Sequence, residues 1–144
     1  MSRAIFLDTS AWFAAMSPHE AGHAAALAAY EQALRTGATV VTTDLVLGEM
    51  QVLLMRLLGA EAGVEFLDRV RADARHEVVW CDAELGQAAV DRWLRPFRAE
   101  RLSLCDAVSF EVMDRRRISW ALSLDRHFKV AGYGVLPAGN PAQG

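Results

Sequence analysis

Four carboxylates stand at positions where chemistry is expected: Asp8, Glu49, Asp106 and Asp125. Asp8 comes where the short apolar run Ile5-Phe6-Leu7 stops and the polar pair Thr9-Ser10 begins. That places an acid at the carboxyl end of a buried strand, and open α/β sheets bind their ligands in the crevice beyond those ends. Asp125 repeats the arrangement after Ser119-Trp120-Ala121-Leu122-Ser123-Leu124: apolar strand, small hydroxyl residue, acid. Glu49 falls in the middle of an apolar helical stretch, with Leu45 and Val46 one turn before it and Val52 and Leu53 one turn after. Desolvation there favours the neutral acid unless a cation or donor compensates, so something positive is expected to meet it. Asp106 follows Ser103-Leu104-Cys105 and is expected to open a helix, where capping and the helix dipole favour an acid with or without a site. Its neighbours Ala107, Val108 and Phe110 make that helix end an inward position.

If the four converge, like charges about 4 Å apart cost on the order of 4 kcal/mol at an effective dielectric near 20. A divalent cation removes that penalty. Oxygen ligands without a Cys or His cluster select Mg²⁺ or Mn²⁺ rather than Zn²⁺. Any one of these acids, taken alone, is as readily a cap or a surface group. Asp44, Asp68, Asp82 and Asp91 are read that way, with Asp44 capping a helix.

The elements that must position the acids follow from apolar patterning. Five β-rich runs are expected: Ala4 to Leu7, Thr39 to Thr42, Glu77 to Cys81, Ser119 to Ser123 and Gly134 to Leu136. Segments of helical spacing lie between them, which is the alternation of a parallel α/β sheet. Helices are expected from His19 to Arg35, introduced by Ser17-Pro18, from Asp44 to Leu58, from Ala60 to Ala74, from Asp82 to Leu94, and from Asp106 to Arg116. The second is apolar almost all round, so it is buried on more than one side, within the fold or against another subunit; a homodimer is expected.

The 144-residue chain is the size of one domain. No apolar run approaches the roughly 20 residues of a membrane helix, and no signal-type start is evident, so a cytoplasmic protein without a membrane partner is expected. Cys81 and Cys105 lack CxxC spacing and read as free thiols. The formal net charge of −3 argues against a globally basic nucleic-acid binder. Positive charge is concentrated in arginine, fourteen against the single Lys129, and guanidinium grips phosphate or carboxylate with two parallel hydrogen bonds. Arg92, Arg95, Arg98 and Arg101, with Arg115-Arg116-Arg117, are read first as a solvated face and second as a phosphate-gripping rim. His19, His23, His76 and His127 show no metal-ligand spacing apart from the His19 and His23 pair, one turn apart, which is read as a surface coincidence. A nucleophile elbow, a P-loop and a GxGxxG turn are all absent.

The ordered stretches "FLDTSAWFA", "TTDLVLGEM", "LSLCDAVSFEVM" and "ALSLDRHF" resemble those of the PIN-domain nucleases, and more narrowly the VapC-type ribonuclease toxins of bacterial toxin-antitoxin pairs. The resemblance runs from about Ala4 to Leu136. It implies a single α/β domain over 1–137, an α/β/α sandwich with a central parallel sheet of about five strands; the Pro, Gly and Ala composition beyond it predicts a flexible tail over 138–144. It implies a Mg²⁺ or Mn²⁺ cofactor, an RNA substrate and a small antitoxin protein as partner. Asp8 and Asp106 match the firmest metal ligands of the family, Glu49 an acid that helps through metal or water, and Asp125 the least constant of the four. Ser10 and Ser123 match small polar positions that orient the acids. Leu124, where a polar residue is frequent, and Cys105, where a hydroxyl is common, depart from the pattern. RNA processing, a non-catalytic binding module and a phosphoryl-accepting receiver remain as alternatives, the last weakened by its need for a partner lysine.

Overall fold

The computed structural model describes residues 3–138. Five strands, β1 (Ala4–Leu7), β2 (Thr39–Thr43), β3 (His76–Val79), β4 (Trp120–Leu122) and β5 (Gly134–Leu136), form one sheet in the order β3-β2-β1-β4-β5. Every neighbouring pair is parallel, with Ile5 opposite Val40, Phe6 opposite Ala121 and Leu7 opposite Leu122. Phe6, Leu7, Val40, Val41, Ala121 and Leu122 are buried, as continuous apolar strands must be when helices cover both faces of a parallel sheet. All these strands end at one edge, and Asp8, Thr43 and Ser123 are the residues at which the three central ones run out.

Among the described residues, seven α-helices make the flanking layers: α1 (Thr9–Met16), α2 (His23–Arg35), α3 (Asp44–Leu58), α4 (Ala60–Ala72), α5 (Ala83–Ala89), α6 (Leu104–Arg116) and α7 (Arg126–Val130). A π-turn over Val90–Leu94 prolongs α5, so the stretch expected as one helix is continuous but underwound before Pro96. Two helices were not expected. α1 follows Asp8 directly and buries Ala11, Trp12, Ala14 and Ala15. With so many apolar positions in eight residues it carries no helical periodicity, which is why it escapes a pattern reading. α7 is a five-residue turn capped by the Asp125 carboxylate, which accepts the His127 N–H at 2.9 Å.

Several boundaries differ from expectation for local reasons. α2 starts at His23 rather than His19, because Gly22 takes a left-handed conformation (φ 82°) and supplies the N-cap instead of Ser17-Pro18. Thr43, not Asp44, caps α3 by accepting the Val46 N–H at 3.2 Å. Asp44 lies within the first turn and accepts the Cys81 N–H at 2.8 Å, tying the chain after β3 to the start of α3. α4 stops at Ala72, and β3 begins at His76 and ends before Trp80. β4 is shorter than expected at both ends, spanning Trp120–Leu122. Pro137, the last residue expected in the domain, is buried and Ala138 is exposed; the rest of the expected tail, from Gly139, lies outside the described residues.

A second polar network holds α5 and α6 together. Glu111 is 2 % exposed and accepts hydrogen bonds from Arg92 at 2.8 and 3.0 Å, Arg115 at 2.9 Å and the Trp93 indole at 3.1 Å. Burial pushes its carboxyl up, but these donors outweigh it and hold it below the usual glutamate range. Arg115 also grips Glu84 through two bonds of 2.7 Å. Arg92 and Arg115 are therefore engaged in packing the fold, and Arg95 pairs with Asp91 at 3.2 Å. Among the described residues, no helix is long and apolar enough to cross a membrane.

Candidate metal centre

The carboxyl edge of the sheet brings the predicted residues together. Asp8 is 5 % exposed, and its Oδ2 accepts hydrogen bonds from Ser10 at 2.8 Å and Ser123 at 3.0 Å. Each serine oxygen also accepts a backbone N–H, Ser10 from Leu124 at 2.8 Å and Ser123 from Asp125 at 2.9 Å. A hydroxyl has one proton, so with both spent on Asp8 the 3.3 Å contact between the two serines adds no further bond. The pair holds one carboxylate oxygen rigidly. Oδ1 accepts no hydrogen bond among the described residues and is left for a ligand.

Burial raises the Asp8 carboxyl to about 6; the Ser10 and Ser123 bonds pull it down, while Asp106 and Asp125 push it further up. Asp106 is also raised, by burial first and then by Asp125. Asp8, Asp106 and Asp125, three of the four acids, thus share one field. Asp106 is the third residue of α6 rather than its opener. Ser103 is the N-cap and bonds the Asp106 N–H at 3.0 Å, while the Asp106 side chain reaches back to the Ser103 N–H at 3.4 Å. This reciprocal box fixes the helix end and leaves Asp106 oxygen capacity for a cation.

Glu49 departs from expectation. It is exposed rather than desolvated, and no cation meets it among the described residues. Its Oε1 accepts the Thr9 hydroxyl at 2.6 Å and the Cys105 thiol at 3.5 Å. Because α3 turns this position to the rim of the site instead of the core, neutral donors are enough. Cys105 occupies the place of the expected hydroxyl and acts as a weak donor. Burial and then the Glu49 and Asp8 charges push its thiol well above the ordinary cysteine range, so it stays protonated.

One histidine set aside in the sequence for want of metal-ligand spacing lies beside the acids. His127 places Nδ1 3.1 Å from Asp125 Oδ1 and 3.5 Å from Asp106 Oδ2, and ligand atoms of Asp106, Asp125 and His127 all lie within 4.8 Å of one another. The signal that would have found it is the Asp125-x-His127 spacing just past a strand end. A groove of about 540 Å³ between α3, α4 and β3, floored by Leu47 and walled by Trp80 and Arg71, includes none of the four acids.

Residues 5–132 match the PIN domain family. The chain belongs to that family. It is 33 % identical over 129 residues to the 23S rRNA-specific endonuclease VapC20 of two Mycobacterium tuberculosis strains, covering 90 % of this chain and 95 % of the relative. The crystal structure of Mycobacterium tuberculosis VapC20, described as a sarcin-ricin loop cleaving toxin, superposes with a TM-score of 0.76 at 32 % identity, over 90 % of this chain and 96 % of that one. The single-domain architecture with a five-stranded parallel sheet is that of the PIN fold. The donor set suits the divalent cation on which PIN nucleases generally depend: oxygen atoms in mutual repulsion, two carboxyls raised by burial, and a buried imidazole nitrogen without a hydrogen-bond partner.

Proposed function

We propose that this protein is an endoribonuclease dependent on Mg²⁺ or Mn²⁺, and the toxin of a toxin-antitoxin pair. The observation that carries the reading is Asp8, buried at the carboxyl edge of the sheet and in electrostatic contact with Asp106 and Asp125. A divalent cation held there would supply Lewis-acid polarisation of the phosphodiester and acidify the attacking water. Asp8, Asp106 and Asp125 would hold the cation. Ser10 and Ser123 keep Asp8 in one orientation, so that no reorganisation is needed when substrate arrives. Glu49, anchored through Oε1 by Thr9, keeps Oε2 available to orient the attacking water and take its proton.

The name of the VapC20 relative makes 23S ribosomal RNA, with its sarcin-ricin loop, the first substrate to try. The cytoplasm is the compartment where such a substrate is met, and both cysteines are free thiols, as a reducing compartment requires. A small antitoxin protein is the partner, and an arginine laid among the carboxylates would neutralise them much as a cation does. Met55, Leu57 and Leu58 at the end of α3 and Val64 on α4 remain exposed; this apolar surface supports a homodimer, which sedimentation of the full chain checks.

The test is incubation of metal-stripped protein with ribosomal RNA, then addition of Mg²⁺ or Mn²⁺, with Asp8→Asn alongside. Cleavage that requires metal and disappears in the variant is expected. Metal-independent cleavage, or cleavage retained by Asp8→Asn, refutes the reading.

A further inference from the structure

We propose that His127 is a nitrogen ligand of the cation at this site, and that it biases the site toward Mn²⁺ and related transition ions over Mg²⁺. The inference rests on reading the acids as a divalent-cation site and adds the residue that sets which cation is preferred.

The geometry carries it. His127 Nδ1 is buried and has no hydrogen-bond partner, although two carboxylate oxygens lie 3.1 and 3.5 Å away. Were Nδ1 protonated, its hydrogen would meet neither oxygen at bonding geometry. Asp125 Oδ1 already receives the backbone N–H of His127 itself at 2.9 Å, which locks the ring position to that carboxylate. With Nδ1 unprotonated, three lone-pair atoms face one another at such distances, and a cation among them removes their repulsion. Adjacent donors around an octahedral ion with bonds of about 2.1 Å are about 3 Å apart, which is the spacing of Nδ1 from Asp125 Oδ1. The backbone that carries the imidazole is anchored by its neighbour: Phe128 is fully buried and stacks on Phe6 of β1 and edge-on to Phe110 of α6. α7, the element that carries His127, is thereby pinned to the strand that delivers Asp8 and the helix that delivers Asp106.

The chemical consequence is selectivity. An all-oxygen site suits Mg²⁺, which dehydrates reluctantly and demands oxygen ligands. One imidazole nitrogen shifts the preference to first-row transition ions, in rising order from Mn²⁺.

The probe is Mn²⁺ alone, added to the metal-free full chain, with Mg²⁺ titrated in parallel. Pulsed electron paramagnetic resonance of bound Mn²⁺ is expected to show nitrogen hyperfine modulation in the wild type and none in His127→Gln. Calorimetry is expected to show Mn²⁺ affinity falling about tenfold or more in that variant, with Mg²⁺ affinity within about threefold of wild type. Bound Mn²⁺ without nitrogen modulation in the wild type overturns the assignment and leaves the nuclease reading intact; this spectrum decides the matter even if the variant does not fold. Equal weakening of both ions marks an electrostatic neighbour rather than a ligand and likewise overturns it. A wild type that binds no Mn²⁺ sinks the cation-site reading and this inference together.

Discussion

Ser123 Oγ donates a 3.0 Å hydrogen bond to Asp8 Oδ2 and accepts the Asp125 N–H at 2.9 Å. One hydroxyl thus joins the carboxyl end of β4 to that of β1 and spaces two acids of the site. Ser10 does the same from α1, through Asp8 and the Leu124 N–H. The carboxylate most exposed to mutual repulsion is therefore also the most firmly oriented.

That arrangement makes the metal-free protein sensitive to pH in a definite direction. The Asp8 carboxyl titrates near 6 in the fold against 3.8 as its ordinary value, so the folded state binds the proton more tightly than the unfolded one. The associated stability is complete below about pH 4 and is lost as pH rises through 6, on the order of 3 kcal/mol in all. The raised Asp106 works in the same direction. Thermal melts of metal-free wild type and Asp8→Asn at several pH values should diverge, with the variant gaining on the wild type as pH rises. Added Mn²⁺ should recover the wild type most at high pH. Parallel pH profiles for the two proteins would refute the burial of a charged Asp8.

Ser10→Ala removes one of the two bonds that pull the Asp8 carboxyl down. A hydrogen bond to a charged carboxylate is worth about 1 kcal/mol more than one to the neutral acid, so the acid limb of the cleavage profile should move up by roughly half to one pH unit. The plateau rate at high pH should stay within a few fold. A lower plateau with an unmoved limb would assign Ser10 to substrate contact instead.

The site was legible in the sequence where its logic is one-dimensional. An apolar run ending in an acid reveals Asp8 and Asp125, and the apolar strands themselves suffice for the parallel sheet. What escaped depends on three-dimensional neighbours. α1 is short and apolar on most sides, because Trp12 packs on Phe66 and stacks on His76, so no polar face marks it as a helix. Glu49 read as a buried acid because its sequence neighbours are apolar, yet the α3 face that carries it opens onto the rim of the site. His127 stayed hidden because its partners come from two different elements: Asp125 two residues away, and Asp106 from another helix.

The arginine stripe offers a contrast between packing and substrate contact. Arg92 and Arg115 both bond Glu111, so Glu111→Ala should cost about 2–4 kcal/mol, the range for breaking a buried charged network whose remaining partners reach solvent. Arg92→Ala should lower the melting temperature and leave both RNA affinity and its salt dependence unchanged. A fall in the salt slope of about one unit on that substitution would restore the phosphate rim as the role of Arg92.

Gly134 tests the register that supports Ser123. A Cβ at this position would lie 2.6 Å from ring atoms of Trp120 on the neighbouring strand, and β4 and β5 pair there, Trp120 opposite Gly134. The half-exposed indole lies over the glycine, so an added methyl must displace either the ring or β5. Gly134→Ala should therefore cost about 1–3 kcal/mol, the usual price of overpacking. Because the Ser123 N–H bonds the Leu136 carbonyl at 3.0 Å, a displaced β5 should also slow cleavage. In a Trp120→Ala background the methyl has room, and the same substitution should cost less than about 0.5 kcal/mol. Chemical denaturation of the four proteins in this cycle measures the coupling, and equal costs in both backgrounds would show that the indole does not set the strand spacing.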